Sequence, residues 1–322
     1  MSAQDTMKAV RIHSFGGPEV LKYQEAARPT PQAGEVLVRV RAAGINPVDV
    51  AGRQFPIPGI TGAGELPYIL GWDVSGEIVA LGEGVSEFAI GDTVYGLPRF
   101  PGEAGAYAEY LTAPVTDIVP RPQRLSFEEA AAIPMAGLTA WQGLFELADL
   151  QPGQTVLITG GSGGVGHLAI QLAKWKGAKV YATTSTPNLA FLHELGADEV
   201  IDYTRQPFKE VVKDVDLVFD TIGGDTLKDA FEVVKRGGTI VSTPLQKGIV
   251  AVGQELGPKY GVNFKFTNVH TSGEQLAEIN KVVEAGKLRP YLDTVLPLDQ
   301  VAEAHRLSAA GHVRGKVVLA VE

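Results

Sequence analysis

From Thr155 the chain reads Thr-Val-Leu-Ile-Thr, places five glycines among the seven residues Gly160 to Gly166, and passes at once into the helical pattern His167-Leu-Ala-Ile-Gln-Leu-Ala173. A buried strand that reverses into a helix within one short turn is the opening of a βαβ unit. Gly161, Gly163 and Gly166 are spaced G-x-G-x-x-G. In that spacing the first glycine permits a tight turn, the second lets the backbone approach a pyrophosphate, and the third lets helix and strand pack closely. The amides of Gly161, Ser162, Gly163, Gly164, Val165 and Gly166, with the positive end of the helix dipole, would then hold the anion. Gly160 to Gly164 also spell G-x-S-x-G, a nucleophile elbow centred on Ser162, for which Asp220 with His270, His305 or His312 could nominally complete a triad. The elbow fits less well, because the chain before Ser162 is β-rich instead of βα-alternating and no glycine-rich oxyanion loop follows an early His.

The surrounding pattern extends the βαβ reading. Thr155–Thr159, Lys179–Thr183, Glu199–Ile201, Val215–Phe219 and Gly238–Ser242 are β-branched runs separated by helical stretches, and Asn263–Thr267 adds a sixth. Continuous apolar strands of this kind belong to a doubly wound parallel sheet, an α/β fold. The first third differs. Short strands are expected at Val36–Val40, Ser75–Ala80, Gly91–Tyr95 and Gly105–Leu111, a partly open barrel-like arrangement. Ser126 and Glu129 form a capping-box signal, Leu138–Leu147 reads as helix, Ser272 with Gln275 opens another helix, and Gly315–Val321 returns to β. The 322 residues suit two domains.

Composition excludes several classes. A net charge of −9 opposes a sequence-independent grip on nucleic acid or an anionic membrane. The absence of cysteine removes disulfides, thiol nucleophiles and thiolate metal sites. His13, His167, His193, His270, His305 and His312 show no metal-ligand spacing, so no metal is expected. The first residues are polar and no apolar run approaches ~20 residues, so the expectation is a cytoplasmic protein with neither nucleic acid nor membrane as partner.

The dinucleotide can be narrowed. An Asp or Glu about 20 residues past the turn would bind the adenosine ribose and select NAD. Here the second strand runs into Thr184-Ser185-Thr186-Pro187-Asn188 with no carboxylate. Two negative charges ~4 Å apart at an effective dielectric near 20 repel by about 4 kcal/mol, so a missing acid favours NADP(H). No Lys or Arg stands in that loop, so Thr184 and Ser185, with Tyr203 or Arg205 after the next strand, would hold the 2′-phosphate.

Beyond the glycine turn, the chain carries Met7-Lys8-Ala9-Val10 with Phe15-Gly16, Gly44-Ile45-Asn46-Pro47-Val48-Asp49, Gly71-Trp72-Asp73-Val74-Ser75-Gly76 and Gly91-Asp92-Thr93-Val94. Gly137-Leu138-Thr139-Ala140, Asp220-Thr221-Ile222-Gly223-Gly224 and Gly311-His312-Val313-Arg314-Gly315-Lys316-Val317-Val318 follow. Through these stretches it resembles, nearly end to end, the medium-chain dehydrogenase/reductase superfamily in its zinc-free quinone oxidoreductase branch. The resemblance implies a GroES-like β-barrel catalytic domain from residues 1–124 and 269–322, a Rossmann domain from 125–268, a cleft where nicotinamide meets substrate, and a homodimer. Zinc members of the superfamily use a Cys and a Gly-His-Glu segment as ligands, where this chain has Asn46 and Trp72-Asp73.

By that analogy Asn46, Asp49 and Thr139 are the catalytic candidates, with Asn46 and Asp49 on the site's floor and Thr139 beside the nicotinamide amide. Ile222, Gly223, Ser242, Thr243 and Pro244 would flank the nicotinamide ribose. The plain structural roles are a turn at Asn46-Pro47, a helix cap at Asp49 and a helix hydroxyl at Thr139. Without a Lewis acid the fitting chemistry is hydride addition to a quinone or an α,β-unsaturated carbonyl, whose conjugation spreads the developing charge onto an oxygen. Phe55 stands in a stretch where family members often carry a Tyr, which leaves water as the proton source. The loops between Pro56 and Tyr68 and between Leu245 and Tyr260 are expected to shape the acceptor site. The alternative is an NADP(H)-binding regulatory or sensor protein without significant turnover.

Overall fold

The computed structural model describes residues 6–57 and 66–322, so part of the loop between Pro56 and Tyr68 lies outside the described residues. The chain forms two compact units, one of residues 1–138, 270–284 and 290–322, the other of residues 139–269 and 285–289.

The second unit is built on six strands, β1 (Thr155–Ile158), β2 (Lys179–Thr184), β3 (Glu199–Asp202), β4 (Val215–Asp220), β5 (Val234–Ser242) and β6 (Asn263–Phe266). All are parallel and run in the order β3-β2-β1-β4-β5-β6. This order reverses direction at β1, so the carboxyl ends of β1 and β4 lie side by side at the switch point, where doubly wound sheets bind ligands. Val156, Leu157, Ile158, Val218, Phe219, Ile240 and Val241 are buried, which is why these strands read as continuous apolar runs. After β1 the helix Gly166–Lys176 ends on Gly177, whose left-handed φ of 88° lets its N–H reach the carbonyls of Ala173 and Lys174.

Two elements differ from the sequence expectation. The helix expected over Leu138–Leu147 is an α-helix, Pro134–Trp141, followed by a π-helical turn, Gln142–Leu147. Gly143 lies so close to Phe219 that an added Cβ would stand 2.2 Å from the ring, and the wider turn accommodates that approach. The stretch expected as a loop from Leu245 to Tyr260 is mostly the helix Ile249–Tyr260, because Ile249, Val252 and Leu256 pack on the core beside β5 and β6.

The first unit carries a seven-stranded sheet in which Glu35–Gly44 is central. Val74–Leu81 and Lys316–Ala320 pair antiparallel on either side of it, and Tyr110–Pro114 also pairs with it. A smaller sheet joins Leu21–Ala27, Thr6–Ile12 and Tyr68–Ile69. The strand expected at Gly105–Leu111 begins only at Tyr110; Gly105 is left-handed (φ 76°), and Ala108 makes an isolated bridge to Ala9 instead of a continuous ladder. Ser126 and Glu129 form the reciprocal cap at 3.1 and 3.0 Å, and Ser272 accepts from the Gln275 amide. Among the described residues no helix is long and apolar enough to cross a membrane.

Candidate active site

The glycine turn departs from the expected division of labour. The left-handed residue is Gly160 (φ 67°), one position before the motif, while Gly161 is crowded by Leu192, Ile170 and Ala182. Gly161 therefore serves close packing and Gly160 makes the bend. At Gly166 a Cβ would fall 2.2 Å from the Gly160 carbonyl oxygen, so only glycine lets the helix start against β1. At Gly163 a Cβ would meet only that same oxygen, at 3.4 Å, leaving its outer side open. The amides of Gly160, Gly161 and Gly163 are engaged by Thr183 Oγ1, Thr183 O and Gly160 O. Those of Ser162, Gly164 and Val165 donate to no backbone carbonyl among the described residues. A strand end, open glycine and spare amides ahead of an 11-residue helix fit a diphosphate. Ser162 Oγ accepts from Thr184 Oγ1 (3.0 Å) and Asn188 Nδ2 (3.5 Å), and His167 Nδ1 lies 2.9 Å from Gly163 O. Ser162 is thus held by a hydroxyl and an amide, not by an imidazole base, which removes the support for a hydrolase elbow.

Asp220, at the end of β4, is fully buried and ties the neighbouring loops together. Its carboxylate accepts from Thr159 Oγ1 at 2.9 Å, from Ser242 Oγ at 2.7 Å, and from the amides of Ile222 and Gly223 at 3.1 Å. Thr243 N–H donates to the Asp220 carbonyl, and Gln246 Nε2 reaches Ile222 O at 2.9 Å. The Ile222–Gly223 and Ser242–Pro244 segments are held as one edge at the switch point. Asp220 therefore has a structural assignment that sequence inspection did not supply.

At the far end of β2, Tyr203 N–H bonds Thr184 O, and Ser185 opens the following turn. The sequence pattern missed Asp202, because it lies on β3, directly beside Thr184 in the parallel register. Its carboxylate accepts from Thr186 Oγ1 (2.5 Å) and Thr204 Oγ1 (2.6 Å), and Arg205 Nε stands 3.5 Å away. Hydrogen bonds from Thr186 and Thr204 hold its carboxyl below the usual carboxylate range. The Tyr203 and Arg205 side chains are exposed.

In the first unit, Asn46 precedes the helix Pro47–Gln54, with Pro47 at its first position. Its carboxamide also reaches beyond the helix start. Nδ2 donates to Asp73 Oδ2 at 2.9 Å, while Oδ1 accepts from Lys316 Nζ at 2.5 Å. Asp49 does the local work, taking the Asn46 N–H on Oδ2 at 2.6 Å. Lys316 Nζ also donates to Ile45 O (2.8 Å) and lies 3.3 Å from Asp73 Oδ2, and Asp73 Oδ1 accepts from Met135 N–H at 2.7 Å. All of these side chains are buried. Lys316 stood in the stretch Gly311–Val318 but was not a site candidate, because a lysine at the start of an apolar run does not show which residue it will face.

Register explains the meeting. Val318 pairs with Gly44 on one side of the central strand and Val74 with Ala43 on the other, which brings Lys316 and Asp73 to either flank of Asn46. Gly44 makes room, since a Cβ there would lie 2.7 Å from Asp73 Oδ2. Behind Asn46, burial pushes the Asp49 carboxyl up to about 7. The Asp73 charge adds to the rise, while the Asn46 amide and Lys316 oppose it. The Tyr107 phenol faces this carboxyl without closing a hydrogen bond to it, and packs edge-on against His305 at 5.8 Å. Burial, with the nearby Arg53 charge, takes His305 down to about 3. Thr139, on Pro134–Trp141, is buried in the second unit.

Residues 32–123 match the alcohol dehydrogenase GroES-like domain family and residues 195–319 the zinc-binding dehydrogenase family. The residues here do not fit zinc. The chain has no cysteine, and among the described residues no group of three or more His, Asp or Glu could hold a metal. Both Asp73 oxygens are already taken, one of them facing an ammonium. The chain is 35% identical over 355 residues to the mitochondrial NAD(P)H oxidoreductase RTN4IP1 of Danio rerio, covering 98% of this chain and 91% of that protein. It is 36% identical over 329 residues to the 2-methylene-furan-3-one reductase of Solanum lycopersicum, covering 99% and 80%. The solved structure of the quinone oxidoreductase from Coxiella burnetii superposes with a TM-score of 0.90 at 38% identity, over 98% of this chain and all of that one. The chain belongs to the medium-chain dehydrogenase/reductase superfamily, in its NAD(P)H-dependent quinone and enone reductase branch.

Proposed function

We propose that this protein uses NADPH to reduce a small quinone or α,β-unsaturated carbonyl, with Asn46 standing where a metal-dependent relative would place a ligand. The observation that supports the reading is the Asn46 carboxamide held between Lys316 and Asp73, a polar donor of the kind that charge on an acceptor oxygen would need. When bound, the reduced nicotinamide supplies the hydride. Gly161 to Gly166 hold the diphosphate, with Ser162, Gly164 and Val165 offering spare amides. Ile222, Gly223, Ser242, Thr243 and Pro244 border the nicotinamide ribose, and Thr139 orients the ring's amide. Asn46 donates to the acceptor oxygen while Asp49 keeps the Asn46 backbone in place, and water completes protonation.

NADPH preference is part of the same proposal. Ser185 opens the turn after β2 and Tyr203 stands exposed, whereas the Thr184 hydroxyl, expected from the sequence to hold the phosphate, is buried and donates to Ser162 Oγ, which leaves the phosphate to Ser185 and Tyr203. Asp202, the one carboxylate beside Thr184 in the sheet register, is engaged by Thr186, Thr204 and Arg205. A homodimer is proposed too, supported by β6, which among the described residues pairs with β5 alone and so leaves a sheet edge.

The test is NADPH oxidation over a panel of quinones and enones, with NADPH affinity measured alongside. Turnover is expected. Tight NADPH binding with no turnover on any member would reject the reductase and leave a cofactor-governed binding protein.

A further inference from the structure

We infer that Lys316 is a positioning residue that, with Asp73, makes the Asn46 carboxamide a one-directional donor for an oxyanion, so that the site prefers an enolate or phenolate oxygen over a neutral one. The inference rests on the reductase reading and adds the group that supplies positive charge.

The amide's two ends face opposite charges. Lys316 Nζ has hydrogens and no acceptor, and Asp73 when ionised has acceptors and no donor. Reversing the carboxamide would set Nδ2 against the ammonium and Oδ1 against the carboxylate, so the observed orientation is the only one both neighbours permit. The three Lys316 hydrogens are accounted for by Ile45 O, Asn46 Oδ1 and Asp73 Oδ2. Asp73 takes one Nδ2 hydrogen, and no hydrogen bond within the described residues engages the other. Charge on the oxygen end polarises the amide and strengthens that remaining N–H.

A buried ammonium and carboxylate are a poor device for stability alone, because the cost of desolvation offsets their attraction. Here the pair holds one amide in one orientation. During reduction a C–H bond would form at the acceptor carbon as the C–H bond of the bound NADPH that donates the hydride breaks, leaving NADP⁺; the displaced π pair settles on oxygen, and the oxyanion then takes a proton from water, leaving hydroxide. Asn46 meets that oxygen, and Lys316, on the far side of the amide, acts through it.

The experiment compares wild type with Lys316→Met, Lys316→Arg, Asn46→Asp and Lys316→Met/Asn46→Ala. The first readout is kcat and KM for an enone under saturating NADPH. Lys316→Met should lower kcat by about 10- to 100-fold with NADPH affinity unchanged, and Lys316→Arg should recover part of it. Asn46→Asp keeps an acceptor for Lys316 but removes the donor, and should lose as much even if Lys316→Met does not fold. Lys316→Met should add little when Asn46 is already Ala.

The second readout needs no turnover: the absorbance titration of 4-nitrophenol with the NADP⁺-loaded protein. Wild type should bind the phenolate more tightly, lowering the phenol's apparent pKa by about one unit, a tenfold preference, and Asn46→Asp should abolish the shift. Unchanged kcat in Lys316→Met or Asn46→Asp overturns the inference while leaving the reductase reading intact. So does equal affinity for the two phenol forms, or no binding of either. A wild type that discriminates the phenolate but turns over no acceptor sinks the reductase reading and leaves the anion site standing.

Discussion

Lys316 Nζ lies 2.5 Å from Asn46 Oδ1 across 270 positions of sequence. The contact depends on the central strand Glu35–Gly44, whose pairings with Lys316–Ala320 and Val74–Leu81 set both residues that flank the carboxamide. Local sequence places the donor, and sheet register places its charge.

Gly44→Ala tests that dependence. The new Cβ would lie 2.5 Å from Ala131 O and 2.7 Å from Asp73 Oδ2, so Asp73 must move away from Asn46. Overpacking of this kind costs about 1–3 kcal/mol. The expected result is a lower Tm together with a fall in kcat for the acceptor, with NADPH affinity little changed. An unchanged kcat would argue against the carboxamide's role.

The glycines of the turn should separate stability from binding. Gly166→Ala puts a methyl 2.2 Å from Gly160 O and 2.8 Å from Gly161 Cα, and should lower Tm and dinucleotide affinity together. Gly163→Ala meets only a contact at 3.4 Å. Its stability should stay within about 0.5 kcal/mol of wild type while NADPH affinity, read by calorimetry, falls by about tenfold or more. Equal losses of Tm in both variants would contradict the assignment of Gly163 to the ligand side.

Two buried groups should give opposing pH dependences of stability. Asp49 has its pKa raised from 3.8 to about 7, so between these values the native state holds a proton that the unfolded chain has lost. Its contribution to stability grows as pH falls from 7 towards 4. His305 is lowered from 6.5 to about 3, so there the unfolded chain holds the extra proton and the contribution shrinks as pH falls through the same range. Each effect is at most on the order of 4 kcal/mol. Asp73 and Lys316 face the first group and Arg53 the second. Relative to wild type, Asp49→Asn should lose stability more steeply on acidification, and His305→Phe less steeply, in thermal melts from pH 4 to 7. Parallel curves for all three proteins would refute the assignment.

Cofactor preference can be read from one substitution. Ser185→Asp would place a carboxylate where the proposed 2′-phosphate sits, adding like-charge repulsion of up to about 4 kcal/mol at close range. NADPH affinity should fall by at least tenfold more than NADH affinity. Equal weakening of both would reject the specificity argument.

The dinucleotide fold was legible in the chain because its signals are local. Alternating apolar runs, the glycine spacing and the Ser126 cap each act within one turn or one strand, and each was found in the structure. Even there the bend proved to belong to Gly160, since spacing alone does not distinguish a left-handed residue from one that is merely crowded. Asp202 beside Thr184, Asp220 under the Ile222 loop, and Lys316 with Asp73 around Asn46 were not legible. Side-chain periodicity says which face of a strand is buried, but nothing about which residue lies opposite. That pairing is settled only when strands dock in register and desolvated charges must find partners, so the tertiary structure alone decided which polar groups meet.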